Sequence, residues 1–140
     1  MEMFDKLAEL AEKKDIEKMM TFFADDFADF EGRDKTGLRG LLSDYISSRM
    51  GIVVHRLSSR VEELNSGRAT LRADVALSSG GAEALRRLVR ISPDIYRLRI
   101  DLVKEAESWH VRYAEWSGIS LGELFPESLS AMKELFPNLF

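Results

Sequence analysis

Cysteine is absent from this chain, histidine occurs twice and proline three times in 140 residues. Without cysteine there is no disulfide, no thiolate metal site and no cysteine nucleophile. A chain of this length buries a core without such staples. No apolar run approaches the roughly 20 residues of a membrane-spanning helix. A surplus of positive charge is also missing. Twenty basic residues face 24 acidic ones, a net charge of −4, whereas nucleic-acid-binding domains usually carry a basic excess. There is no glycine-rich phosphate loop, and nothing in the order of Ser, His and Asp supports a catalytic triad. Met1 to Asp15 mixes acids and bases without the apolar centre of a signal peptide. The expectation is a cytoplasmic protein without nucleic acid, membrane, metal or cofactor as partner.

What is present belongs to a globular domain, with 45% hydrophobic and 31% charged residues. The charges are uneven. Residues 51–116 hold 9 acids and 11 bases, while residues 117–140 hold 3 acids and 1 base. This pattern reads as a mixed solvated surface.

Hydrophobic spacing divides the chain. Met3, Phe4, Leu7, Leu10 and Ala11 recur at helical intervals, and Asp15 offers a cap for a second helix. That helix is predicted over residues 16–29, from Ile16, Met19, Met20, Phe23 and Phe27. Gly32 marks a break, Asp34 or Thr36 can cap a third helix over residues 36–50, and Gly51 follows its end. The period then falls to two. Residues 52–64 read as a strand with the odd face inward, carrying Val53, His55, Leu57 and Val61. Asn65-Ser66-Gly67 is a hairpin turn. Residues 68–78 place Leu71, Ala73 and Val75 inward and Arg72 and Asp74 outward. Residues 82–91 fit a helical turn or a strand extension, and Pro93 interrupts any ladder there. Strands are predicted over residues 94–105 and 109–116, joined by Glu105-Ala106-Glu107-Ser108. In the tail, Glu123-Leu124-Phe125-Pro126 is echoed by Glu134-Leu135-Phe136-Pro137, and Pro126 suits the first turn of a last helix.

Three helices followed by an antiparallel meander make an α+β domain. Phe27-Ala28-Asp29-Phe30 with Gly32-Arg33, residues 35–45, Arg68-Ala69-Thr70-Leu71, and Glu107-Ser108-Trp109-His110-Val111 through Trp116 carry a resemblance. Over residues 1–117 the chain resembles the nuclear-transport-factor-2-like superfamily, which includes ketosteroid isomerases and SnoaL-like cyclases. The resemblance implies a cone-shaped fold, with N-terminal helices on the concave face of a curved antiparallel sheet and an apolar pocket between them. It often implies a homodimer through the sheet. Residues 118–140 would add a short C-terminal helix, packed on the domain or on a partner subunit.

The resemblance transfers no activity. The isomerases place a tyrosine and two aspartates in the pocket, whereas here the first helix lacks tyrosine and Asp74 and Asp101 fall on the outward parity. His55 is the one candidate general base, because a neutral imidazole on an otherwise apolar face suits that role. Tyr45, Tyr96, Trp109, Tyr113 and Trp116 are candidate pocket-lining residues, able to stack on a ligand or donate a hydroxyl hydrogen bond. Each also fits ordinary core packing. Asp25, Asp26 and Asp29 cluster without histidine, which suits a solvated face better than a metal. Arg72, Arg97, Arg99 and Arg112, interleaved with Asp74, Asp101 and Glu62, suggest cross-strand ion pairs. Three roles fit the whole. One is a domain that binds a small hydrophobic ligand or a partner through an apolar pocket. The second is an isomerase, cyclase or dehydratase acting on a hydrophobic carbonyl compound, with His55 as base. The third is a docking module using residues 126–136.

Overall fold

The computed structural model describes residues 2–49, 51–79 and 94–139. The segment read above as a helical turn or strand extension, residues 82–91, lies outside them. Helix α1 (Glu2–Glu12) presents Phe4 to the sheet residues Leu71, Ala73 and Val75, and Leu10 to Met19, Ile46 and Ile52. Its length and face follow from the 3.6-residue spacing of its apolar residues. Asp15 caps helix α2 (Ile16–Met20), its carboxylate accepting from the Lys18 amide at 3.2 Å.

Here the fold departs from the periodicity. The helix predicted over residues 16–29 stops at Met20, and strand β1 (Phe23–Asp29) takes its second half. Phe22 and Phe30 tie this strand to strand β5 (Ser108–Gly118). The Val111 amide donates to the Phe22 carbonyl at 2.8 Å, and the Phe30 amide to the Ala114 carbonyl at 3.1 Å. Phe23 and Phe27 suit a helix stripe and a buried strand equally, and a parallel partner distant in sequence decides between them. The sheet is therefore mixed, with β1 parallel to β5 and the remaining pairs antiparallel. The stretch Phe27 to Phe30, expected to close a helix, closes a strand.

Helix α3 (Lys35–Ser47) starts where Asp34 accepts from the Gly37 amide at 2.8 Å. It packs Leu38 against Phe27 and Val111. The meander follows as β2 (Ile52–Asn65), β3 (Arg68–Ser79), β4 (Asp94–Glu105) and then β5, giving the order β1-β5-β4-β3-β2. The β2–β3 turn is fixed by the Asn65 side chain, which accepts from the Gly67 amide at 2.8 Å. At the β4–β5 turn Ala106 and Glu107 both take positive φ, 48° and 69°.

Strand β3, next to the edge strand β2, is covered on both faces. Leu71, Ala73 and Val75 lie under α1, on the inner face. The other face was expected to meet solvent, yet Asp74 is 2% exposed and Ala76 is fully buried. The cover is helix α4 (Pro126–Leu135), whose Met132, with the following Phe136, packs on Leu57, Ala76 and Ile95. Burying side chains of this size contributes about 2 kcal/mol each.

Candidate functional site

Two open clefts flank α1 where it crosses the sheet. The larger, about 740 Å³, has a floor of Phe22, Ala69, Leu102 and Trp109, with Met3 and Val61 on its walls. Glu2, Asp5, Lys6, Glu9, Glu63 and Ser108 form its rim. Alternation along β2, β4 and β5 brings these apolar side chains to one end of the inner face. The smaller cleft, about 330 Å³, lies between Phe4 and Ala8 of α1 and Val54 and Arg56 of β2. It is crossed by polar ties, since Glu12 accepts from the Val54 amide at 3.0 Å and Arg56 pairs with Asp5 at 3.2 Å. At the rim of the larger cleft, the hydrogen bond from Lys13, at 2.7 Å, and the nearby charges of Lys13 and Lys6 hold the Glu9 carboxyl below the usual range.

Of the six pocket candidates, Trp109 alone lines the larger cleft. Tyr45, Tyr96 and Trp116 lie elsewhere, each against a different apolar cluster and all half-buried. Trp116 is the cross-strand partner of Leu98 and meets Phe30 edge-on at 4.9 Å. The Arg49 guanidinium stacks 3.4 Å from the Tyr45 ring and pairs with Asp94 at 4.0 Å. Burial pushes the Tyr45 phenol up to about 12, with Tyr96, Asp94 and a hydrogen bond to Asp94 adding to the rise and Arg49 opposing it. Tyr45 therefore stays protonated at neutral pH and acts as a donor.

His55 and Tyr113 lie on the other side of the sheet. A β-bulge between Arg56 and Ser58 breaks the alternation of β2. Ahead of it His55 pairs with Ala76, and its ring sits edge-on to Phe136 at 5.2 Å, beneath the C-terminal segment. The expectation that the odd face of β2 looks into a pocket under the N-terminal helices holds for Val61, beyond the bulge, and is corrected for the residues ahead of it. Leu57 and His55 do point inward, but into the layer beneath α4. Tyr113 donates to Glu115 at 3.1 Å, and burial together with this bond raises its phenol above the ordinary value.

The outer face holds a network that parity alone did not reveal. Arg97 grips Asp74 through Nε at 2.9 Å and Nη2 at 3.2 Å, and Nη2 also reaches the Glu123 carbonyl at 3.0 Å. Ser128 donates toward Asp74 at 3.2 Å and shares a hydroxyl–hydroxyl hydrogen bond with Ser58 at 2.7 Å. The hydrogen bond to Asp74 holds the Arg97 guanidinium above its ordinary range. The charge alternation of β3 and β4 signalled the Asp74–Arg97 pair, but not its burial. The three acids of β1 diverge, Asp25 to Lys35, Asp26 to Arg112 and Asp29 to Arg33. Among the described residues no group of three or more His, Asp or Glu could hold a metal ion. The rim acids of the cleft were missed by sequence reasoning, although Glu2, Asp5 and Glu9 share one edge of α1 at helical spacing.

Comparison of the sequence with models of protein families gives no match, and neither does comparison with curated proteins. Solved structures give many. Bd1075 of Bdellovibrio bacteriovorus is 18% identical with a TM-score of 0.68 over 84% of this chain, which spans only 38% of that protein's length. A nuclear-transport-factor-2-like protein of unknown function from Pseudomonas putida KT2440 is 14% identical with a TM-score of 0.68, covering 83% of this chain and 81% of that one. The hexachlorocyclohexane dehydrochlorinase LinA-type3 of Novosphingobium barchaimii LL02 is 11% identical with a TM-score of 0.65, covering 84% and 82%.

Proposed function

This chain has the nuclear-transport-factor-2-like fold, and we propose that it uses that fold to bind a small hydrophobic molecule without transforming it. The observation that carries the reading is the 740 Å³ cleft beside α1, floored by Phe22, Leu102 and Trp109. Its volume is in the range of small-molecule sites, about 300–1,000 Å³. A half-buried indole supplies a flat apolar surface at small entropic cost. Enzymes with this fold exist among its structural neighbours, but the same reading disfavours catalysis here. His55, the one base that sequence offered, faces Phe136 on the other side of the sheet, beyond reach of a ligand in the cleft.

The test is titration with Nile red, a neutral dye whose emission rises and shifts to the blue in apolar surroundings. Saturable binding of one dye per chain is expected, weakened about tenfold by Trp109→Ala. Val61→Lys on the exposed wall should act likewise if the tryptophan variant unfolds. A folded native chain that binds no dye, or variants that bind as well as the native chain, would overturn the reading.

The reading includes a homodimer through the sheet. It is supported by the outer face beside α4, where Arg99 reaches Glu115 at 3.4 Å and Tyr113 is half-buried. Sedimentation equilibrium should give twice the 15.9 kDa chain mass. A mass of one chain at high concentration would sink the dimer. Among the described residues no helix is long and apolar enough to cross a membrane.

A further inference from the structure

We propose that two copies of this chain pair edge to edge through strand β2, antiparallel about Val61, so that their sheets run on into one. The inference rests on the reading of a homodimer through the sheet and names the contact that makes it. Among the described residues β2 is an edge strand, hydrogen-bonded to β3 alone. The free side of such a strand presents backbone donors and acceptors to any strand that fits. The first half of that side is occupied. Glu12 accepts from the Val54 amide, Arg56 pairs with Asp5 of α1, and a bulge follows between Arg56 and Ser58. Beyond the bulge Ser59 to Asn65 are all exposed, with Val61 and Leu64 among the large apolar side chains left in solvent.

The charges on this stretch favour a second copy as the occupant. Arg60 stands opposite Arg72 on β3, and Arg72 opposite Arg99 on β4. Three guanidinium groups thus lie in one row on the outer face, and like charges directly opposite one another cost stability. The row is relieved at one end, where Arg99 meets Glu115 and Asp101, each at 3.4 Å. Among the described residues Arg60, Glu62 and Arg72 form no ion pair. Antiparallel pairing about Val61 sets Arg60 opposite Glu62 of the second copy, and Glu62 opposite its Arg60. The open end of each row then meets a carboxylate. The same register sets Val61 against Val61 and Glu63 beside the Ser59 hydroxyl. Registers one step to either side put Arg60 against Arg60, or Glu62 against Glu62. The ordinary use of charge on an edge strand is to repel such pairing. This run instead complements its own reversal, as a two-fold contact requires, and so fixes its register. Val61 also lines the larger cleft. The second copy's Val61 extends that wall, and the two clefts open on one face of the joined sheet.

Sedimentation equilibrium of the full chain tests the contact with Arg60→Glu, with Glu62→Arg, and with an equimolar mixture of the two variants. Each variant alone opposes like charges at two places and is expected to weaken association about tenfold or more. The mixture opposes unlike charges at both places again and is expected to recover the native dimer. Both positions are exposed, and circular dichroism checks that each variant folds. Half-molar salt should loosen the native dimer as well. A native chain that sediments as a monomer overturns this contact together with the homodimer reading. A native dimer that both variants form equally well overturns the edge contact alone and leaves the outer face as the interface. Variants that stay apart when mixed overturn the pairing of Arg60 with Glu62.

Discussion

Asp29 shows how one side chain organises a chain reversal. Its carboxylate, without solvent exposure, accepts from the Glu31 and Arg33 amides at 2.9 Å each and from the Arg33 guanidinium at 2.9 Å. Gly32, at φ 84°, makes the turn between them possible. Burial works against ionisation, but the hydrogen bonds from Arg33 and Glu31 together outweigh it and hold the carboxyl below the usual range. A carboxyl lowered by folding stabilises the fold above its unfolded value, about 3.9. That contribution is lost as pH falls through the lower folded value. Asp29→Ala should cost about 2 kcal/mol at neutral pH, read from urea unfolding. The penalty should shrink as the acid limb is entered, and a penalty independent of pH below 4 would contradict the argument.

Ala106 and Glu107 make the opposite case. Both hold positive φ, as a two-residue turn of type I′ requires, without being the asparagine and glycine that adopt it freely. Glu107→Gly should stabilise the chain by about 1 kcal/mol. A lower melting temperature for that variant would show that the turn carries no strain.

At the scale of elements, α4 decides most. It converts the outer face of β2–β4 from a wet surface into a second core. Met132 is fully buried there and Phe136 is 3% exposed, whereas Phe125, its counterpart in the echoed motif, is 54% exposed under the Arg97 guanidinium. The repeat is thus one motif used twice, once as an anchor and once as a cover for a charge. Met132→Ala should cost about 3 kcal/mol. Asp74→Ala should cost about 2 kcal/mol, less than a fully buried pair because the Arg97 side chain is 35% exposed. Chemical denaturation of both variants checks the order, and losses below 0.5 kcal/mol would mean that α4 rests only loosely on the sheet.

At the scale of the molecule, the two apolar layers on either side of β3 make the C-terminal segment part of the fold. Truncation after Ser120 would uncover Leu57, Ala76 and Ile95 and leave Asp74 without Ser128. The shortened chain should lose several kcal/mol and expose an apolar patch that promotes association. Light scattering and thermal melting read the two effects. A truncated chain as stable and as monodisperse as the full one would contradict this structural role and would also sink the reading of residues 126–136 as a docking contact. If the tail is structural, Nile red binding at the α1 cleft should persist in the milder Met132→Ala variant, since the two sites lie on opposite faces.

Local physics wrote much of this into the sequence. The 3.6-residue stripe of α1, the Asp15 and Asp34 caps, the Asn65-Ser66-Gly67 turn and the alternation of β3 to β5 depend on neighbours a few residues apart. They were legible for that reason, and their order carried the α+β class and the resemblance. Trp109 was legible as one of several aromatic candidates, each of which fitted core packing as well, and only the fold set it apart by placing it in the cleft. The tertiary structure alone decided the rest. Phe23 to Asp29 became a strand because β5, some 90 residues on, offered unpaired backbone. His55 and Asp74 ended beneath α4 because a bulge reset β2 and a remote helix covered a face whose polarity suggested water. The rim of Glu2, Asp5, Glu9 and Glu63 exists only once α1 lies across the end of β2. Pairing, covering and clustering at such separations depend on which surfaces meet, and no window of sequence contains both partners.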